Sequence, residues 1–435
     1  MQELTYKEIR DRYIQFFKDN GHEEIPSAPL VPEDDPSVLF VNAGMFPLVP
    51  FLKGEVHPKG KRLVNSQRSL RTGDIDIVGD NFHCTTFEML GNWSLNDYFK
   101  KEAINLTVKF FVEDLGLDIN KIYATVFEGE GEIPQDNESI EVWKEIFQSY
   151  GVEAKVGKGE RIEPLGREDN WWGLPTGGPC GPDSEIFYKL DSGELVEIGN
   201  NVFMEYLLED GEYKPLGRHN VDFGGGLDRL TAMLQGKDSV FETDIYKPIF
   251  DKVKEISQKD ILESQRVITD HIKAATWIVM DGVVPSKSQQ GYILRRLIRR
   301  AVRHGKKLNI DGLFTRDIAD IAIEQFKEIY PQLEEKKEYI LDIIEEEEKN
   351  FNHTIKQGLK EFDKYFEQAH DILTTNKPIP KDIVGLGGLA FTLYETYGFP
   401  YEMIIEEIIN RSNILGLGII WEKFIEDFEI GFKKS

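Results

Sequence analysis

Between Leu63 and Ser94 the chain reads LVNSQRSLRTGDIDIVGDNFHCTTFEMLGNWS, and no other stretch constrains the fold as much. Polar and apolar residues alternate over 63–71. A run holding Gly73, Asp74, Asp76, Gly79, Asp80 and Asn81 follows over 72–81, and a β-rich segment returns over 82–90. The pattern predicts a strand, a long loop and an antiparallel return strand. Alternation places Asn65, Gln67, Ser69 and Arg71 on one face and Ser66, Arg68 and Leu70 on the other, with His83, Thr85, Phe87 and Met89 together on the return strand. Neither face is plainly apolar. Two readings stand: a binding surface where an arginine fork grips a phosphate beside an aromatic ring, or an edge hairpin with solvated arginines.

The flanking segments mix helices and strands without a repeating β–α alternation. Thr5 with Glu8 forms a capping box that opens a helix, and Gly21 ends it. PSVLFVNAGMFPLVPFLKG at 36–54 begins as a strand and breaks at Asn42–Gly44. A helix is expected over 98–115, a strand over 121–129 and a helix over 138–149. This order predicts an α+β fold on a largely antiparallel sheet. REDNWWGLPTGGPCGPDSEIFYK at 167–189 reads as a Gly/Pro loop that brings backbone close to a ligand before a strand forms. A strand follows over 199–207. HNVDFGGGLDRLTAML at 219–234 then runs from strand through three glycines into a helix, a turn of the kind that cradles phosphates, although GGG alone does not demand one.

From about residue 260 the composition turns helical. One helix holds SQRVITDHIKAATWIVMDG. The next, running to about Lys307, carries Arg295, Arg296, Arg299, Arg300, Arg303, Lys306 and Lys307 with no acid from Ser288 onward. Offsets of three and four align Arg296, Arg299, Arg300 and Arg303 along one stripe. Such a stripe is either a solvated helix face or a footprint for a polyanion such as RNA. The chain's net charge of −25 means that any nucleic-acid contact must be local. A long acidic and lysine-rich helical stretch spans 332–370, GLGGLAFTLYETYGFP at 385–400 breaks it, and a final helical pair is expected. With only Cys84 and Cys180 there is no disulfide framework. No run approaches 18 apolar residues, so a cytoplasmic protein without a membrane anchor is expected.

Eight ordered strings carry a resemblance: FVNAGM at 40–45, SQRSLRTGD at 66–74, TTFEMLGNWSLNDYF at 85–99, GGPCGPDSEIFY at 177–188, NVFMEY at 201–206, VDFGGGLDR at 221–229, RRLIRRAVRHG at 295–305 and LYETYGFP at 393–400. Over essentially its whole length the chain resembles the N-terminal part of the alanyl-tRNA synthetases, a family of class II aminoacyl-tRNA synthetases. The resemblance implies a class II antiparallel sheet flanked by helices in an aminoacylation domain over 1–255. An all-helical domain that recognises the tRNA acceptor stem would follow over 256–435. It implies ATP with Mg²⁺ as cofactors, L-alanine and tRNA(Ala) as substrates, and alanyl-adenylate as the intermediate.

Residue by residue, the resemblance implies that Arg71 contacts the α-phosphate and that Phe87, Met89, His83 and Arg229 belong to the ATP site. It assigns alanine to Asp222, Trp172, Asn200, Val202 and Gly224, with Arg71, Arg229 and Asp222 as the catalytic set. A buried carboxylate suits an ammonium and a small apolar niche suits a methyl group. Such a niche separates alanine from glycine or serine by only about 1–3 kcal/mol. For RNA it points to Gln289 and Glu395 flanking the G3·U70 wobble pair, each one methylene longer than the family's Asn and Asp, with Arg296, Arg300 and Arg303 on the backbone.

Fuller family members continue into a zinc-bearing editing domain and an oligomerising domain. The expectation is therefore a monomer that leaves Ser-tRNA to a separate deacylase, whether the chain is naturally short or part of a longer one. Some bacterial relatives carry a Cys-x₂-Cys arrangement followed by histidines where this chain reads Cys180-Gly-Pro-Asp183, so no structural zinc is expected. A catalytically inactive RNA-binding paralog is the rival reading, opposed by the presence of Arg71, Arg229 and Asp222. An ATP-dependent ligase without an RNA substrate is opposed by the cationic stripe and the TYGFP segment.

Overall fold

A computed structural model describes residues 4–32, 38–173, 177–375, 386–397, 404–405 and 407–409. The first helix, α1 (Tyr6–Asp19), starts where expected. Thr5 accepts from the Glu8 N–H while the Glu8 carboxylate accepts from the Thr5 N–H, so two of the helix's orphan donors are satisfied reciprocally. Next come β1 (Glu23–Glu24), α2 (Val49–Lys53), β2 (Arg62–Leu70), β3 (Thr86–Leu95), α3 (Lys100–Lys109), β4 (Ile122–Phe127) and α4 (Asn137–Ser149). They are followed by β5 (Ile162–Leu165), α5 (Arg167–Asn170), β6 (Trp171–Gly173), β7 (Gly178–Lys189), β8 (Leu195–Glu209), β9 (Glu212–Gly226), α6 (Leu227–Leu234) and α7 (Lys247–Ile256). The remaining helices are α8 (Leu262–Met280), α9 (Gln289–Lys307), α10 (Thr315–Phe326), α11 (Gln332–Glu335), α12 (Lys337–Thr375) and α13 (Leu386–Tyr397).

The strands form one sheet in the order β1-β2-β3-β9-β8-β7-β4-β5, with β6 added onto β7. Every pair is antiparallel except the two outermost, β1–β2 and β4–β5, so the α+β expectation of a largely antiparallel sheet holds. The hairpin is not a solvated edge. β2 is covered by β1, and each of its residues from Leu63 to Leu70 is buried.

Four expectations are corrected. His83 and Thr85 precede β3 rather than sharing its face with Phe87 and Met89, because Asp270 on α8 binds the Thr85 N–H and hydroxyl and the strand begins only at Thr86. The described part of 36–54 has no strand: Val41 donates to the Leu30 carbonyl and accepts from the Leu70 N–H without joining the ladder. The expected Gly/Pro loop is strand from Gly178 onward, its prolines tolerated where the β7–β8 register shifts between Cys180 and Asp183. The three glycines are strand as well: Gly224, Gly225 and Gly226 pair with Gly91, Leu90 and Met89, and helix α6 starts after them. In addition, the glycine-containing stretch Leu386–Tyr397 is helical, whereas Gly398–Pro400 and most of the expected final helical pair fall outside the described residues.

The chain divides into two compact units, Met1–Ile344 and Glu345–Ser435. In the first, α1, α8 and Tyr330 close one face of the sheet. Arg10 and Tyr330 donate to Glu88, Tyr13 donates to Asn92, Arg68 pairs with Asp281, and Lys273 donates to the Thr86 carbonyl. Seventeen consecutive residues of α8, Ser264 to Met280, are buried, and its polar members are bonded inside: Asp270 to Thr85, Lys273 to Tyr246, and Arg266 to the Gly79 carbonyl. The opposite face of the sheet is the open one. The second unit contains most of α12 together with α13. Among the described residues no helix is long and apolar enough to cross a membrane.

Candidate active site

Cross-strand partners share a face of a sheet. The register therefore assembles one surface from four strands: Phe87, Met89, Gly91 and Trp93 on β3; Gly226, Gly224 and Asp222 on β9; Asn200 and Val202 on β8; and Glu185 and Asp183 on β7. At one end it is closed by an apolar cluster in which Met45, Leu48 and Leu52 pack against Leu63, Trp93, Leu95, Val202 and Met204, with Trp172 and Ala43 alongside. Gly91 is required there, since a Cβ on it would sit 2.4 Å from the Trp93 ring. At the other end the surface opens into a pocket lined by Arg71, Asp74, His83, Phe87, Met89, Glu197, Gly224, Gly226, Asp228 and Arg229.

Six of the residues singled out from the sequence thus share this pocket: Arg71, His83, Phe87, Met89, Gly224 and Arg229. Arg71 lies just past the end of β2. Its side chain is exposed, with the guanidinium 5.1 Å from the centre of the Phe87 ring and the Nε 3.5 Å from the Asn42 carbonyl. It also borders a second cleft of about 600 Å³, walled by Asn42, Ala43, Phe46, Asp74 and Trp172. Arg229, in the first turn of α6, donates to Glu197 at 2.8 Å. His83 stands at the rim and is held by Asp80, which binds both its ring and its N–H.

Asp222 lies deeper on the same surface, opposite Val202 on β8 and Trp93 on β3. The Trp93 indole N–H donates to its carboxylate at 2.7 Å, and burial pushes the carboxyl up to about 7. A buried acid that has one neutral donor and no cation among the described residues is suited to receive a positive group. Asn200 pairs with Gly224, while Val202 and Trp172 belong to the apolar end beside Asp222. The register and packing accordingly bring the five expected alanine residues to one region.

Glu197, Trp93, Asp74 and Asn42 are not among the site residues that the sequence singles out. Trp93 was within reach, because it continues the period-two series from Phe87 through Met89 and Gly91. Glu197 was not: Ile186 pairs with Gly199 but Phe187 pairs with Glu197, so β8 carries one extra residue there. That bulge turns Glu197 onto the face of Asn200 against strict alternation. Near the apolar end, Asp183 is pushed to about 7 by burial and accepts from Asn170, and Glu185 is raised to about 8 by burial and the neighbouring carboxylates Glu197, Asp183 and Asp169. Cys180 sits in β7 opposite Gly173 and Tyr206, its thiol pushed to about 11 by burial.

The cationic helix is less free than its sequence implies. Arg296 donates to both carboxylate oxygens of Asp76 at 2.8 and 2.7 Å, and Arg300 donates to the Ile75 carbonyl and to His271. Gln289 opens α9, exposed and in the left-handed region at φ 51°. Glu395 lies in α13, with its side chain outside the described residues.

The family described as tRNA synthetases class II (A) matches residues 8–426. The alanine–tRNA ligase of Treponema pallidum is 44% identical over 435 aligned positions, which cover 94% of this chain and 68% of that protein. The alanine–tRNA ligase of Borrelia hermsii is 45% identical, covering 93% and 69% respectively. That of a Thermoanaerobacter species is 38% identical, over 95% of this chain and 47% of its own length.

Proposed function

The chain belongs to the class II tRNA synthetases and is an aminoacyl-tRNA ligase, and from that premise we propose that it activates L-alanine with ATP and transfers it to the 3′ end of tRNA(Ala). The observation that carries this reading is the shared sheet face, with an opening beside Arg71, Phe87 and Arg229 and a buried acid, Asp222, within an apolar corner. Asp222 binds the α-ammonium, and the resulting charge pair offsets the burial that keeps its carboxyl high in the free protein. Val202, Trp172 and Trp93 bound the methyl niche, with Asn200 and Gly224 as its floor.

The alanine carboxylate then attacks the α-phosphorus and pyrophosphate leaves. This step asks the protein for alignment and charge stabilisation rather than a general base. Arg71 supplies a bidentate fork to the α-phosphate. The Phe87 ring, against which that fork rests in the free protein, is the surface on which adenine stacks, with Met89 beside it, Arg229 facing the nucleotide and His83 at the rim. Glu197 and Asp74 on the pocket wall are the carboxylates that would hold Mg²⁺ accompanying ATP, an ion typically held by one or two carboxylates plus substrate oxygens, and it would supply charge neutralisation at the phosphates.

Residues 1–255 carry the activation chemistry in this proposal, and 256–435 recognise the acceptor stem. Gln289 and Glu395 flank the G3·U70 pair, with Arg296, Arg300 and Arg303 of α9 toward the backbone.

The test is alanine-dependent exchange of pyrophosphate into ATP, with serine and glycine in parallel. Exchange with alanine that disappears in Arg71→Ala is the expected result. Absence of exchange with all three amino acids would favour an RNA-binding chain without catalysis. Charging of acceptor-stem minihelices bearing G3·U70 or G3·C70 tests the RNA half of the proposal, and equal rates on both would rule out wobble-pair reading.

A further inference from the structure

We propose that Arg300 is a positioning residue for Arg71 in the activation step, so that the cationic helix α9 acts on the nucleotide chemistry before any RNA is bound; the inference rests on the function proposed above. The segment between β2 and β3 carries Arg71 and Asp74 into the pocket. Its outer part is exposed at Thr72, Gly73, Asp76 and Ile77, and between Thr72 and His83 only Ile75 and Val78 are buried among the described residues. A loop with so few apolar anchors needs polar ones to hold an arginine in register with a phosphate.

Arg300 grips this loop at both ends. Directly, its Nη1 donates to the Ile75 carbonyl at 2.8 Å. Indirectly, the same Nη1 lies 2.7 Å from His271 Nε2. A guanidinium can only donate, so Nε2 is the acceptor and the ring proton sits on Nδ1, which donates to Asp270 at 2.8 Å. Asp270 in turn accepts from the Thr85 N–H at 2.8 Å and from the Thr85 hydroxyl. The Thr85 carbonyl then accepts the Arg71 N–H at 3.0 Å. His271, Asp270 and Thr85 are completely buried, so these three inner members are oriented by their neighbours rather than by water. Arg296 adds an outer contact through Asp76, and because both partners of that pair are partly exposed its contribution is the smaller one.

A helix whose arginines serve RNA alone would leave RNA-independent chemistry unchanged when they are altered. A helix that sets Arg71 would not. Pyrophosphate exchange without RNA therefore separates the two, measured on the full chain for Arg300→Met, Arg300→Lys, His271→Phe and the exposed Asp76→Ala. The expected result for Arg300→Met is a rise in ATP KM or a fall in kcat of about tenfold with alanine KM nearly unchanged, as misplacement of one aligning group would give. Partial recovery is expected in Arg300→Lys, and a loss of about twofold in Asp76→Ala. In an Arg71→Lys background, whose residual exchange can still be read, Arg300→Met should cost much less than in the parent, because its effect runs through the Arg71 guanidinium.

Wild-type exchange kinetics in Arg300→Met with loss only in minihelix charging would overturn the proposal. So would an equal loss in the parent and Arg71→Lys backgrounds, which would mean general structural support. Amide hydrogen exchange over residues 72–80 reads the grip directly, and unchanged protection in Arg300→Met would sink it even in a chain without activity. Failure of the parent reading is seen separately, as no alanine-dependent exchange in the unmodified chain.

Discussion

The two faces of the central sheet each bury a carboxylate, and they treat it in opposite ways. On the closed face Glu88 accepts from Arg10 at 3.1 Å, from Ser66 at 3.0 Å and from Tyr330 at 2.7 Å. On the open face Asp222 accepts, among the described residues, only from the Trp93 indole, and burial pushes its carboxyl to about 7. Glu88 is a finished network whose charge is neutralised by the fold. Asp222 is an unfinished one, and in the proposed function its partner is the alanine ammonium. The same division separates the two arginines of β2 and its exit: Arg68 is buried against Asp281 and Tyr330, whereas Arg71 is exposed beside Phe87. Burial of charge identifies a site only when the hydrogen-bond ledger around it is left open.

Asp222→Asn tests this contrast most sharply. Alanine-dependent exchange should fall by about 10²–10³-fold, the loss of one charge-assisted contact to the ammonium. The same variant should be more stable than the parent at pH 8 by up to about 4 kcal/mol. The sign follows from the raised carboxyl: the folded state holds its proton at a pH where the unfolded chain has lost it, so stability falls as pH rises from the ordinary carboxylate range through about 7. Denaturant titrations at pH 8 and pH 3 check it, and a gain at pH 8 that persists at pH 3 would mean that titration is not the cause.

Glu88→Ala should do the reverse. Leaving Arg10 and Tyr330 without their acceptor should cost about 3–5 kcal/mol in unfolding free energy, while exchange per folded molecule stays near the parent value. A variant that kept its stability would break the comparison.

The pH dependence of alanine binding comes next in size. Because free Asp222 must be ionised to hold an ammonium, alanine KM should rise by about tenfold between pH 8 and pH 6 and level off above pH 8. A KM that stays flat across this range would place the ammonium elsewhere.

The smallest contrast lies in adjacent glycines that face opposite ways. A Cβ on Gly224 would come 3.0 Å from the flexible Met89 sulfur on the open face, whereas one on Gly225 would meet the Ile198 carbonyl and the Phe223 ring at 3.1 Å on the closed face. Gly224→Ala should raise substrate KM by only about two- to fivefold with little change in melting temperature. Gly225→Ala should lower stability by about 1–3 kcal/mol and leave KM alone. Thermal melts and exchange kinetics on both variants decide, and matching behaviour would mean that the two faces are not energetically distinct at this point.

The helices were legible because their signals are local. Thr5 and Glu8 cap α1 through residues three apart, and the 3.6 period of α8 and α9 stands out without reference to anything distant. The hairpin was legible as well, and so were the pocket residues it carries, because alternation puts Phe87 and Met89 on one side. Strand boundaries were less so. Thr85 looks like a strand residue until Asp270 captures it, 185 positions away. GGPCGP and GGG look like loops until neighbouring strands claim their backbones. Backbone hydrogen-bonding groups pair with whatever ladder tertiary packing supplies, and no local preference of glycine or proline announces that.

By itself, then, the sequence determined the capped and amphipathic helices, the hairpin with its arginine and the chemistry of the residues around it, since these depend on side-chain periodicity and functional groups. Tertiary structure alone decided which charges are closed and which are open. Asp222 and Glu88 are both acids in β-rich strings, and only the approach of α1 and Tyr330 to one face completes the bonds of Glu88 while Asp222 is left waiting. It likewise decided that Arg296 and Arg300, a solvated or RNA-facing stripe by sequence, reach Asp76 and Ile75 more than 200 residues earlier. The physical reason is the same in each case: a charge is defined by its residue, but its free energy is defined by its partners, and those come from distant parts of the chain.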